Sequence, residues 1–135
     1  MNVIDTLNPD QFAQLHALYR QAWWARDRTL EETQSCVDGS QLCIGLVNAD
    51  DELIGFTRVL TDYIFKALIF DLIVRADHRK TGLGDKLVTL VTSHPKLQAV
   101  KHFELYCLPE MHDFYARHQF TNELGGIQLM RRHRS

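Results

Sequence analysis

No apolar stretch in this chain approaches the ~18–20 residues needed to span a bilayer, so the sequence predicts no membrane helix. Cysteine is scarce. The three thiols, Cys36, Cys43 and Cys107, are odd in number and lack Cys-x-x-Cys spacing, which argues against a disulfide framework and reads as reduced thiols of a cytoplasmic protein. The seven histidines are scattered without ligand spacing, so no metal site is expected. An excess of one charge is missing too, with a net charge of −2. The basic run Arg131-Arg132-His133-Arg134 accompanies no recognition motif, which favours solvation over nucleic-acid binding. The opening Met1-Asn2-Val3-Ile4-Asp5 lacks the basic and apolar regions of a signal peptide. No linker, repeat or low-complexity segment divides the chain, and 135 residues fit one domain, 1–135, with a proper core.

What is present is an ordered succession of patterns. Val3 to Thr6 reads as a short strand, and Asn8-Pro9-Asp10 opens a helix with Phe12, Leu15, His16, Tyr19, Ala22 and Trp23 along one face. Arg26 to Thr29 breaks it, and a second helix runs to about Val37 before Asp38-Gly39. Strands follow at 41–48 and 53–61, and a turn near Asp62-Tyr63-Ile64 leads into the apolar run Ala67 to Val74. Residues 83, 87, 88, 90 and 91 are apolar at helical spacing. After Pro95 come a strand at 101–107, a helix from Glu110 to His118, and two short strands around Gly125-Gly126. Such an order predicts an α/β (α+β) domain with a mixed sheet covered by helices.

Between the apolar run and the amphipathic helix lies Arg79-Lys80-Thr81-Gly82-Leu83-Gly84. A strand-to-helix turn leaves backbone N–H groups unpaired at the positive end of the helix dipole, a site for phosphate or pyrophosphate. Glycine at 82 and 84 admits a ligand close to the backbone, and Arg79 with Lys80 adds positive charge at the rim. A P-loop would need Lys-Ser/Thr after its second glycine, but Asp85-Lys86-Leu87 follows Gly84. A dinucleotide fingerprint would need glycine at Leu87, so the spacing of Glu104 from Gly84 is discounted as a ribose contact.

What remains, Arg-x-x-Gly-x-Gly after a strand, resembles the coenzyme A pyrophosphate loop, Q/R-x-x-G-x-G/A, of the GNAT superfamily of N-acetyltransferases. The element order is similar to that fold nearly end to end. The resemblance implies a mixed central sheet of about six to seven strands flanked by about four helices. A second likeness is Phe114-Tyr115-Ala116-Arg117-His118-Gln119-Phe120, which resembles the family's F-Y-x-x-x-G-F. Tyr115 falls on the tyrosine that commonly faces the coenzyme sulfur. Gln119 replaces the usual glycine; in a left-handed cap it would cost roughly 1 kcal/mol, which leaves the local cap open to differ.

The implied function is transfer of an acetyl group from acetyl-CoA to a primary amine through a tetrahedral intermediate. A lysine-like amine of pKa ~10.4 is neutral in only about 1 molecule in 2,500 at pH 7, so a base or water relay is useful. A thiolate of pKa ~8.5 can take a proton from a tyrosine of pKa ~10 held within reach, the role implied for Tyr115. The plain alternative is a core tyrosine. By register with the family, the Leu72 N–H faces the acetyl carbonyl as an oxyanion donor, Val74 pairs with pantetheine, and Arg79, Lys80, Thr81, Gly82, Leu83 and Gly84 hold the pyrophosphate. Where many members carry a glutamate base, this chain has Leu68, with Phe70 next on that face. Asp71 is the nearest acid, on the opposite face from Leu72 unless a bulge intervenes, and Asp62 in the preceding turn is the other weak candidate.

Trp24 to Glu32, Gly55 to Tyr63 and Glu110 to Tyr115 are similar to a bacterial GNAT subgroup bearing W-A-x-x-R-[ST]-x-E, G-F-x-R-V-x-T-D and D-A-H-x-L-Y, although Asp-Ala is absent from the last. The resemblance makes Trp24, Arg28, Arg58 and Asp62 candidate acceptor contacts. Against this stands a reading with Trp23 or Trp24 in the core and Arg28 capping the second helix. The expected acceptor is a small-molecule amine, then a protein lysine or N-terminus, and the fold leaves room for a homodimer. The rivals are a non-catalytic acyl-CoA-binding or regulatory module of the same fold, and a nucleotide-binding α/β protein.

Overall fold

Two reciprocal caps set the helices of the N-terminal half. The structure, a computed structural model, describes residues 1–134. Helix α1 (Pro9–Arg20) starts at Asn8, whose side chain accepts from the Gln11 N–H at 2.8 Å while the Gln11 side chain accepts from the Asn8 N–H at 3.0 Å. Thr29 and Glu32 repeat the exchange at α2 (Leu30–Asp38). Such caps are worth ~1 kcal/mol each, and they fix both ends of the α1–α2 connection. Because α1 ends at Arg20, Trp23 lies beyond the helix and is exposed rather than packed on its apolar face.

Strands β1 (Asn2–Ile4), β2 (Leu42–Val47), β3 (Leu53–Thr61), β4 (Lys66–Val74) and β5 (His102–Glu104) form one sheet in that spatial order. Every pairing is antiparallel except β4 with β5. Leu15, Leu18 and Tyr19 of α1 and Val37 of α2 pack with Val47, Leu53, Phe56 and Ile73 on one face. On the other, Leu87 and Val91 of α3 (Leu83–Thr92) pack with Ile44, Leu46, Ile54, Val59, Ala67 and Ile69. Fully buried leucines of this kind contribute ~1.5–3 kcal/mol each. Helix α4 (His112–Ala116) follows β5.

Two irregularities of β4 position the site. Phe56 pairs with Ile73 and Arg58 with Phe70, so Thr57 alone faces both Asp71 and Leu72, a β-bulge. The extra residue switches faces: Ala67 and Ile69 pack toward α3, whereas Ile73 packs toward α1 and α2. Asp71 takes φ = 58°, a left-handed conformation costing a non-glycine residue ~1 kcal/mol. The second irregularity is at the other edge. β5 pairs only with Lys66 to Leu68, so beyond Leu68 that edge of β4 has no strand partner among the described residues.

The sheet has five strands, not the six to seven expected. The expected pair around Gly125-Gly126 is a turn with both glycines left-handed, at φ = 66° and 87°. Leu124, Ile127, Leu129 and Met130 there are exposed, up to 92% for Met130, so no burial offsets the entropy of ordering strands. The expected strand at 101–107 is reduced to His102–Glu104 by the same divergence from β4.

Candidate active site

The glycine loop is shaped by left-handed backbone. After β4 a single turn of 3-10 helix, Ala76–His78, leads to Lys80 at φ = 64° and Gly82 at φ = 85°. Gly82 caps α3 without any side-chain hydrogen bond to the helix, so the first-turn N–H groups have no side-chain acceptor. Alternating left-handed residues at a helix start turn successive N–H groups into one concavity suited to an anion. A Cβ on Gly82 would meet nothing within 4 Å, so the demand there is conformational. On Gly84 it would lie 3.3 Å from the Phe114 ring, tighter than ordinary contact, so the ring would have to give by a few tenths of an ångström. The Thr81 hydroxyl donates to the His78 carbonyl, and Arg79 Nε donates to the Val74 carbonyl at 3.3 Å.

Hydrogen-bond alternation tells which β4 groups face the open edge. The Arg75 N–H donates to the Ile54 carbonyl at 2.8 Å, so Arg75 and Ile73 turn their backbone groups toward β3. Val74, and Leu72 on the same alternation, turn theirs the other way, toward the edge that β5 leaves. Their side chains pack against the α3-side cluster.

Tyr115 lies in α4, its ring edge-on to Phe114 at 4.9 Å and to Phe120 at 5.9 Å. The hydroxyl has no hydrogen-bond partner among the described residues, although the residue is only 9% exposed. Burial, aided by the nearby Cys107 thiol, pushes its pKa up to about 12. The turn after it closes with the Phe120 N–H donating to the Tyr115 carbonyl and the Gln119 N–H to Ala116, with Gln119 left-handed at φ = 70°. This is the Schellman closure that glycine ordinarily serves, so the cap does not differ despite the glutamine. His118 Nε2 lies 2.7 Å from Asp85 Oδ1 and joins α4 to the first turn of α3.

On the opposite face of β4 one carboxylate gathers three side chains. Asp71, 4% exposed, accepts from Tyr19 at 2.9 Å, from Arg28 at 2.7 and 3.3 Å, and from Arg58 Nε at 2.6 Å. Desolvation raises its pKa, but the hydrogen bonds and charges of Arg28 and Arg58 outweigh it and hold the carboxyl below its ordinary value. The Arg28 guanidinium is 4.6 Å from the Tyr19 ring and 5.5 Å from that of Trp24, and Arg58 lies 5.1 Å from Phe70. Asp62 is elsewhere: its Oδ1 accepts from the N–H groups of Ile64, Phe65 and Lys66, which lower its pKa and fasten the β3–β4 turn.

These parts match a known pattern beyond this chain. The model of the Acetyltransferase (GNAT) family matches residues 8–120. The chain belongs to the GNAT family of N-acetyltransferases. A GNAT-family protein of known structure from Xanthomonas campestris is 32% identical, with a TM-score of 0.81, covering 98% of this chain and 94% of that one. An uncharacterized N-acetyltransferase, ycf52, of Gracilaria tenuistipitata var. liui is 26% identical over 130 residues, 92% of this chain and 71% of its own. At 22% identity the fold is shared with an aminoglycoside 6'-N-acetyltransferase complexed with coenzyme A, with a TM-score of 0.67 over 78% of this chain and 61% of that one.

In this GNAT protein the structure brings Arg28, Arg58 and Asp71 together and sets Asp62 apart. Trp24 is partly exposed beside Arg28, not in the core, and Thr29 rather than Arg28 caps α2. The sequence reading missed Tyr19 as a polar partner and Asp71 as a centre. A signal was available: an aspartate inside an apolar strand needs cationic partners, and two arginines stood in the flanking motifs.

Proposed function

We propose that this N-acetyltransferase uses acetyl-CoA and a primary amine of a small molecule, with a protein lysine or N-terminus as the second choice of acceptor. The carrying observation is convergence at one end of β4. The strand edge left without a partner among the described residues, the concave glycine loop, and Tyr115, a largely buried residue whose hydroxyl has no hydrogen-bond partner among the described residues, all lie there. Those groups fit a pantetheine arm, a pyrophosphate and a sulfur respectively. When bound, acetyl-CoA supplies a thioester carbonyl, which the amine nitrogen attacks with loss of the thiolate.

The chain's own groups then have separable duties. The first-turn N–H groups of α3, with Arg79 and Lys80 at the rim, hold the pyrophosphate, and the Val74 backbone holds the amide-bearing arm. The Leu72 N–H donates where negative charge develops on the carbonyl oxygen. Tyr115, protonated throughout the working range, donates its O–H to the departing sulfur. A phenol near 12 is a weaker acid than a thiol of ~8.5, so its duty is a hydrogen bond and proton relay, with the proton shed by the amine restoring it. Neither carboxylate serves as base: Asp71 is engaged by two arginines and Asp62 by three backbone N–H groups. Water relays the amine proton back to the Tyr115 oxygen. The reduced-thiol reading supports a cytoplasmic location.

The test is a thermal-shift comparison of acetyl-CoA, coenzyme A, ATP and NAD. A ligand at 100 times its dissociation constant stabilises by ~2.7 kcal/mol. Shifts with acetyl-CoA and coenzyme A alone support the assignment, after which an amine screen reads thiol release. No shift with either would sink it. Binding without thiol release from any amine would favour the non-catalytic module.

A further inference from the structure

The bulge residue of β4 is left-handed, and glycine would fill that place without strain. An aspartate there makes sense only if its carboxylate does something glycine cannot. Its hydrogen bonds reach three separate places: Tyr19 on α1, Arg28 in the α1–α2 connection and Arg58 on β3. Through Arg28 it also reaches Trp24, whose ring meets that of Tyr19 at 6.0 Å. The next residue along the chain is Leu72, whose backbone faces the open edge. One buried carboxylate therefore joins the connection on the α1–α2 face to the bulge that aims the Leu72 N–H.

We propose that Asp71 is a positioning residue for acetyl transfer. Its carboxylate clamps the α1–α2 connection to the β4 bulge and fixes the Leu72 N–H relative to Trp24 and Arg28. This rests on the functional reading above, in which Leu72 serves the carbonyl oxygen, and on the resemblance that makes Trp24 and Arg28 candidate acceptor contacts. The glycine loop lies outside the clamp. Loosening Asp71 therefore changes the rate and leaves coenzyme binding alone.

Asp71→Gly and Asp71→Asn separate the parts. Glycine keeps the left-handed backbone and removes all the side-chain bonds; asparagine keeps the size and one acceptor oxygen. The experiment measures amide order parameters by NMR in wild type and both variants, with coenzyme A present, at a temperature where all are folded. In Asp71→Gly, residues 24–28 and Leu72 are expected to fall from about 0.85 to below about 0.6, with β2 and α3 unchanged and Asp71→Asn intermediate. In parallel, thiol release should drop about ten- to a hundredfold in kcat, while KM for acetyl-CoA stays within about twofold. Arg28→Lys, which keeps the charge and loses the fork, should loosen the same residues if Asp71→Gly fails to fold.

Unchanged order parameters overturn the clamp. Loosened residues with an unchanged kcat overturn the positioning role. A wild type that binds coenzyme A but releases no thiol removes the reaction and the role with it. If coenzyme A does not bind wild type at all, the functional reading has failed, and the order parameters of the free protein still decide the clamp.

Discussion

The two sides of β4 are built from different materials. On the side proposed for the coenzyme the working groups are backbone: an unpaired strand edge, left-handed Lys80 and Gly82, and the N–H groups of the first turn of α3. On the α1–α2 side they are side chains, Tyr19, Arg28 and Arg58, gathered on Asp71 from three elements. A backbone site constrains its residues through φ and Cβ clearance, so it leaves a short, contiguous signature. A side-chain site needs only the right groups at the right place in space, and its members lie scattered along the chain.

The sharpest break falls on the first side. Tyr115→Phe should lower kcat by ~10²–10⁴ while leaving the melting temperature nearly intact, because the hydroxyl has no hydrogen-bond partner to lose among the described residues. A stability loss with turnover kept would make Tyr115 a packing residue. On the second side Asp71→Asn, which unbalances two arginines, should cost about 2–3 kcal/mol by chemical denaturation, less than a fully buried pair because Arg28 is 27% exposed.

The pH dependence has a definite sign. The Asp71 pKa is depressed in the folded state, so the unfolded chain binds more protons in the acid range and stability rises with pH there. That contribution is present above the ordinary carboxylate value of ~3.9 and is lost as pH falls through and below it. Asp71→Asn should flatten this part of the curve. Asp77, also depressed, keeps its own slope in both proteins, so the difference between them isolates Asp71.

Smaller effects refine the contrast. Gly82→Ala meets no atom, so its cost is the left-handed backbone alone, roughly 1–2 kcal/mol. If the loop relaxes instead, acetyl-CoA affinity should fall about tenfold by titration. Gln119→Gly should stabilise by about 1 kcal/mol in denaturant midpoint, with kcat unchanged, because it relieves the left-handed glutamine of the α4 closure.

The same contrast explains what the sequence disclosed. The Asn8-Pro9-Asp10 helix start, the apolar run of β4 and the glycine loop are local patterns, and their elements lie within a few residues of where periodicity placed them. The final strands were misjudged because the element order says nothing about whether a face exists to cover the segment around Gly125-Gly126. Asp71 stood out only as a weak candidate base, on the face opposite Leu72 unless a bulge intervened. That it is an ion-pair centre depends on a bulge and on Arg28 and Arg58 reaching it from other elements, both tertiary facts. Gln119 shows the reverse case, a departure from the expected residue that the backbone absorbs without changing conformation.

Gly84 and Phe114 stand 30 residues apart and share one small space. A methyl group at 84 would press on the ring edge at 3.3 Å, and the ring belongs to the residue just before Tyr115. The two positions are therefore a coupled pair for any lineage of this chain. Alanine at 84 becomes acceptable once position 114 is smaller or shifted, and a bulkier group at 114 locks glycine in place. Drift at one end of the site is thus gated by the other. The order in which two substitutions arrive would decide whether the tyrosine keeps its place.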